Sequence, residues 1–165
     1  MSAVSQNSLF FSLNNEQTEY VISLMDEKFF KSGEVIIREN STGSTMYLLK
    51  KGEISIEKEL IPLIEEYKPG PDDKKIIRLN DSQNIFFGEM SLFDHSLKRT
   101  ATVKALTDTE VLILKSDDFE KIISDRKDIG VIILKNIALK LSRTLETSNI
   151  ELSKVITAFT LSLKL

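Results

Sequence analysis

The chain contains no cysteine and no tryptophan, one histidine, three prolines and six glycines in 165 residues. Without cysteine there are no disulfides, no thiolate metal sites and no cysteine nucleophile. A single histidine, His95, has no partner at metal-ligand spacing and reads as a surface residue. No serine or carboxylate set forms a catalytic constellation, so an enzyme is not expected and no metal site is assigned. No apolar run reaches the roughly 18–20 residues that span a bilayer, and the N-terminus MSAVSQNSLFFSLNN lacks the basic start of a signal peptide. A cytoplasmic location and no membrane partner follow as expectations. Charge is balanced at a formal −3 with no basic block, which speaks against a nucleic-acid surface.

What is present suffices for a core. Hydrophobic residues make up 41% and charged residues 28%, the profile of one domain of ordinary size. Residues 14–25 (NNEQTEYVISLM) read as a helix capped by Asn14 or Asn15, with Glu16 and Glu19 at its positive end. The period then changes. Short β-branched runs at 34–40, 45–51, 53–59, 74–80, 100–106 and 109–115 are punctuated by Gly33, Gly43, Gly52 and Gly88. Such spacing predicts a compact antiparallel sandwich or roll.

Ser116 is read as the N-cap of a second helix running to about Lys127, with Asp117 and Asp118 complementing its dipole. A longer helix follows. Its positions 134, 138, 141, 145, 148, 152, 155 and 159 are Leu, Ala, Leu, Leu, Ser, Leu, Val and Phe, a heptad stripe broken only by Ser148. The stripe outlasts what a small roll can cover, so a homodimer seam is expected. Packing back on the roll is the alternative. The segment 58–75 carries all three prolines and reads as an excursion between two strands, either a solvated loop or a partner-binding or lid element.

The stretch FFGEMSLFDHSLKRTATV (86–103) holds the chemistry. A turn at Gly88-Glu89-Met90-Ser91 offers backbone amides to an anion, and glycine permits close approach. Arg99 offers a guanidinium fork, with the hydroxyl and amide of Thr100 beside it. Glu89, when ionised, only accepts hydrogen bonds, so it suits a sugar hydroxyl rather than a phosphate. Met90, Leu92 and Phe93 are expected to anchor the turn in the core. Taken alone, the pattern is equally a turn with a structural Glu89–Arg99 ion pair.

Its context carries a resemblance. KSGEVIIRENSTGSTMYLLKKGEISI, then FFGEMSLF, KRTATVKA and TEVLILKSDDFEKII, resemble the cyclic-nucleotide-binding domains of the catabolite activator protein family, of kinase regulatory subunits and of gated channels. The resemblance covers about residues 27–150. It implies an α+β fold, an antiparallel β-roll (a double-stranded β-helix or jelly roll) with an N-terminal helix over 1–126, followed by a long C-terminal dimerisation helix and tail over 127–165. It implies cAMP or cGMP as ligand, with Glu89 on the ribose 2′-hydroxyl, Arg99 on the cyclic phosphate, and Phe87, Gly88, Met90, Ser91, Thr100 and Ala101 around them. Aligned through Leu145, Ser148 and Asn149 fall where the family reads the base. The other reading of Ser148 is a tolerated small residue or a register device. Lys98 stands where the family often has proline, LNDSQN replaces its usual Gly-Asp pair, and the 58–75 excursion is longer than usual.

The family often continues into a helix-turn-helix domain, and none is expected before Leu165. The expected role is therefore a sensor that signals to a protein partner through its last helix. A β-roll dimer with no ligand or another one, and a shortened DNA-binding regulator, are the alternatives.

Overall fold

Among the described residues, eight strands make two four-stranded antiparallel sheets, and three α-helices pack against one of them. The computed structural model describes residues 3–59, 70, 74–94 and 96–162. His95 and most of the 58–75 excursion lie outside the described residues, and so do the readings placed on them.

In chain order the elements are α1 (Asn15–Ser23), β1 (Asp26–Phe30), β2 (Val35–Ile37), β3 (Thr45–Lys51), β4 (Glu53–Glu59), β5 (Lys74–Asn80), β6 (Phe86–Phe87), β7 (Thr102–Ala105), β8 (Thr109–Lys115), α2 (Ser116–Asp125) and α3 (Lys127–Ser162). One sheet runs β1-β8-β3-β6 and the other β2-β7-β4-β5. Together they form the expected antiparallel roll with a long C-terminal helix.

The two sheets differ in cover, and the sequence shows why. Strands β3 and β8 read as continuous apolar runs because both of their faces are buried. Met46, Leu48, Leu112 and Leu114 point to a core shared with Phe119, Ile122, Ile129, Ile133 and Ile137 of the helices. Leu49 and Val111 point instead into the roll, beside Ile37, Ile54, Val103 and Ala105. Phe86 and Phe87 are neighbours in sequence, yet each belongs to a different core, as the two-residue period of a strand requires.

Several local expectations are corrected. Strand β1 was not expected, because DEKFF shows no alternation and buries only Phe30. Strand β6 is two residues long, too short for any periodic signal. The runs at 34–40 and 100–106 shrink to Val35–Ile37 and Thr102–Ala105. Ser116 is not the cap of α2 but its first residue; Lys115 stands at the cap without a side-chain bond. Asn14 does cap α1, in a capping box with Gln17.

The start of α3 is pinned by Asp128. Its carboxylate accepts from Arg126 Nε and Nη2 at 3.1 and 3.0 Å and from Gln17 Nε2 at 3.0 Å. These bonds, Arg126 first and Gln17 next, hold its pKa at about 2, below the ordinary 3.8. A depressed carboxyl contributes stability that is present above about pH 4 and lost as pH falls toward 2. Carbon-detected NMR titration should place the Asp128 midpoint near 2. In thermal melts, Asp128→Asn should lie below the native chain at pH 7 and converge with it near pH 2.

Candidate functional site

The stretch 86–103, here called the cassette, is built by a change of hand in the backbone. Strand β6 ends at Phe87, Gly88 follows with a left-handed φ of 77°, and a 3-10 turn runs from Glu89 to Leu92. A Cβ at Gly88 would stand 2.8 Å from Arg99 Nη1 and 3.3 Å from the Thr45 carbonyl, so no side chain fits there without moving the guanidinium. Leu92 anchors the turn in the core. Met90 and Phe93, expected to share that task, are 43% and 50% exposed. Phe93 meets the Phe119 ring in a T-shaped contact with centroids 5.8 Å apart. Ser91 is buried, and its amide turns back to the Gly88 carbonyl at 3.4 Å.

Arg99 is 6% exposed. Its main chain is tied on both sides, donating to the Ser41 carbonyl at 2.8 Å and accepting from the Asn40 amide at 2.9 Å. Its guanidinium donates to the Gly88 carbonyl at 3.0 Å, to the Thr45 carbonyl at 2.8 Å and to Thr45 Oγ1 at 3.0 Å. Gly43 makes this approach possible, since a Cβ there would lie 2.6 Å from Arg99 Nη2. Burial pushes the guanidinium pKa below its ordinary value, against the opposing influence of Tyr47 and Glu89. Among the described residues no carboxylate forms an ion pair with Arg99.

Glu89 is not Arg99's ion-pair partner. It is 8% exposed, and its Oε2 accepts from Lys140 Nζ of α3 at 2.9 Å. Lys140 also donates to the Phe86 carbonyl at 2.6 Å and lies 4.3 Å over the Phe86 ring centroid. Burial lowers the Lys140 pKa and Glu89 opposes that shift. The last helix is thus bolted to the carboxylate of the cassette. Lys140 was missed in the sequence, although a signal exists: Ile133, Ile137 and Lys140 follow one another at helical spacing, placing a cation on the buried stripe.

The remaining residues flank this centre. Phe87 is buried and its ring stacks on Tyr47 with centroids 5.3 Å apart. Thr100 is exposed and Ala101 half-buried. Beyond Lys140, α3 borders a cavity of about 770 Å³ whose lining includes Ile77, Gln83, Lys140, Thr144 and Ser148. The Lys75–Glu151 ion pair ties β5 to α3 at the same cavity. Asn149 is one residue further round the helix and borders a different groove, with Leu145, Ile150 and Ser153. Among the described residues no cluster of His, Cys, Asp or Glu is arranged to hold a metal, and no helix is long and apolar enough to cross a membrane.

The family model described as the cyclic nucleotide-binding domain matches residues 27–126, which run from β1 through the cassette to the end of α2. The chain belongs to this family.

Individual cyclic nucleotide-binding relatives share modest identity with it. The Cyclic AMP receptor protein of Thermus thermophilus is 26% identical over 144 residues, 87% of this chain and 60% of the relative. The cGMP-dependent protein kinase, isozyme 1, of Drosophila melanogaster is 28% identical over 128 residues, 74% of this chain and 16% of the kinase. The chain therefore spans less than two thirds of either relative. Among solved structures, the Catabolite Activator Protein of Thermus thermophilus superposes with a TM-score of 0.75 at 24% identity, covering 90% of this chain and 63% of that one. That likeness establishes the fold of a cyclic nucleotide-binding roll.

Proposed function

We propose that this chain is a non-enzymatic cyclic-nucleotide sensor. A cyclic mononucleotide, cAMP or cGMP, enters the roll with its phosphate at Arg99 and its ribose 2′-hydroxyl at Glu89. Gly88, Met90, Ser91, Thr100 and Ala101 line the phosphate end beside Phe87. The base faces α3, where Ser148 and Thr144 stand one helical turn apart on the cavity that adjoins Lys140.

One observation carries this reading. Arg99 is a buried cation whose described partners are two carbonyls and one hydroxyl. Burying a charge without an opposite charge is costly, and a ligand that brings the counter-charge removes that cost. A cyclic phosphodiester brings one negative charge and two oxygens, the match for a guanidinium fork. Glu89 supports the same ligand, because a ribose hydroxyl can donate to the carboxylate that Lys140 already holds.

Output follows from the same contacts. Lys140 joins Glu89 to α3, so a ligand that engages Glu89 alters what holds the helix. A ligand shifts an equilibrium only through differential contacts with the two states, and the Lys140–Glu89 pair is such a contact. Helix α3 pairs with its copy in a homodimer through the Leu145, Leu152, Val155 and Phe159 stripe, where Asn149 faces the mate. The moving helix then presents the signal to a protein partner in the cytoplasm, without nucleic acid or membrane contact. Calorimetric titration of the native chain with cAMP and with cGMP tests the proposal. Dissociation constants in the micromolar range or tighter for one of them support it, and no heat or thermal shift with either sinks it.

A further inference from the structure

A second donor stands beside the Arg99 fork. Tyr47 lies opposite Phe87 in the β3–β6 pairing, which places it next to the turn that begins at Gly88. Its ring is stacked on Phe87 with an interplanar angle of 9°, so it has little freedom to swing away. The guanidinium carbon of Arg99 is 5.9 Å from the ring centroid. The phenol oxygen lies 3.1 Å from Thr45 Oγ1, which is itself 3.0 Å from Arg99 Nη2.

Arg99, Thr45 and Tyr47 form a chain of three hydrogen-bonding groups. A guanidinium only donates, so Thr45 Oγ1 accepts from Arg99. Thr45 then donates its single proton to Tyr47 Oη, as the geometry has it. The phenol has thereby received a bond and still holds a proton of its own to give. Tyr47 is only partly buried and packs against the core inside the roll, on the side of β3 that carries Leu49.

We infer that Tyr47 is a ligand-binding residue whose phenol donates a hydrogen bond to one exocyclic phosphate oxygen of the cyclic nucleotide, beside the two donors of Arg99. The inference rests on the cyclic-nucleotide reading of the site. It adds a neutral donor to the charged fork, and so predicts that the site distinguishes the two exocyclic oxygens of the phosphate. Arg99 can satisfy either oxygen, whereas Tyr47, fixed by Phe87 and Thr45, reaches one.

The test is Tyr47→Phe, which keeps the Phe87 stack and removes one oxygen atom. Binding is measured by calorimetry for the native chain and the variant, with the preferred cyclic nucleotide and with its two phosphorothioate diastereomers, each carrying sulfur, a poor acceptor, at one exocyclic position. The variant should melt within about 2 °C of the native chain and bind the native nucleotide about tenfold more weakly, the size of one hydrogen bond to a charged group. Against one diastereomer the tenfold penalty should shrink to about threefold or less, and against the other it should persist. If Tyr47→Phe binds like the native chain, the inference is wrong while the nucleotide reading stands. An equal penalty for both diastereomers also overturns it, because Tyr47 would then act only by placing Arg99. If the native chain binds neither cAMP nor cGMP, the reading fails and takes this inference with it.

Discussion

Arg99→Ala should weaken binding of the preferred cyclic nucleotide by about 100-fold or more while leaving the chain folded. The fork presents two charge-assisted bonds to the phosphate, each contributing about 1.5–3 kcal/mol. About 1.4 kcal/mol corresponds to a factor of ten, so even the low end gives two decades. Stability should change far less. The alanine releases the carbonyls of Gly88 and Thr45, which the guanidinium now satisfies, but it also removes a buried charge that has no described counter-ion. The two effects oppose each other. Arg99→Lys should recover little of the affinity, because an ammonium is a point charge and cannot hold Gly88, Thr45 and a phosphate in one plane. Calorimetric titration with cAMP and cGMP, paired with thermal melts, checks both parts. Affinity within about threefold of native for Arg99→Ala would remove the phosphate assignment from this residue.

This prediction draws on residues that were legible in the sequence, and the limits of that legibility are physical. Strands β3, β4, β5 and β8 have the bounds that the β-branched runs and the glycine turns indicated. Their signal is local, because strand pattern and turn chemistry act within a few residues. Gly88, Glu89 and Arg99 were legible for the same reason, as a short turn followed by a cation. What was not legible is what long-range contact creates. Lys140 meets Glu89 across 51 positions of sequence, and Thr45 meets Arg99 across 54. No window along the chain contains both partners, so the bolt between α3 and the cassette exists only in the folded topology. Strand β1 shows the converse. Its residues are mostly exposed and polar, and it is a strand because β8 offers it an edge, with Asp26 to Phe30 pairing Ile113 to Thr109 in register.

The distal part of α3 supplies the second large effect. From Ser142 onward every described residue of the helix is exposed, including Leu145, Leu152, Val155 and Phe159 at 58–65%. An isolated helical stretch of this kind is marginal in water, since packing of an apolar face supplies most helical stability. The Ser and Thr hydroxyls along it offer no remedy, as Thr147, Ser153, Thr157 and Thr160 each bond back to a carbonyl one turn earlier. Such bonds leave helix stability unchanged or slightly reduced. The proposed homodimer would cover the stripe, since a second copy of α3 brings an identical one, as two-fold pairing requires. Leu152→Glu together with Val155→Glu should abolish that pairing. Each places a carboxylate in a desolvated seam at a cost of several kcal/mol, so four per dimer raise the dissociation constant by well over about 1000-fold. Sedimentation velocity at tens of micromolar should show a dimer for the native chain and a monomer for the double variant. Circular dichroism should show the variant less helical, because the distal turns fray without their mate. Lys154→Glu, off the seam, should stay dimeric and serves as the control for charge alone. A native chain that sediments as a monomer at these concentrations would exclude the homodimer, and the exposed stripe would then require a different protein to cover it.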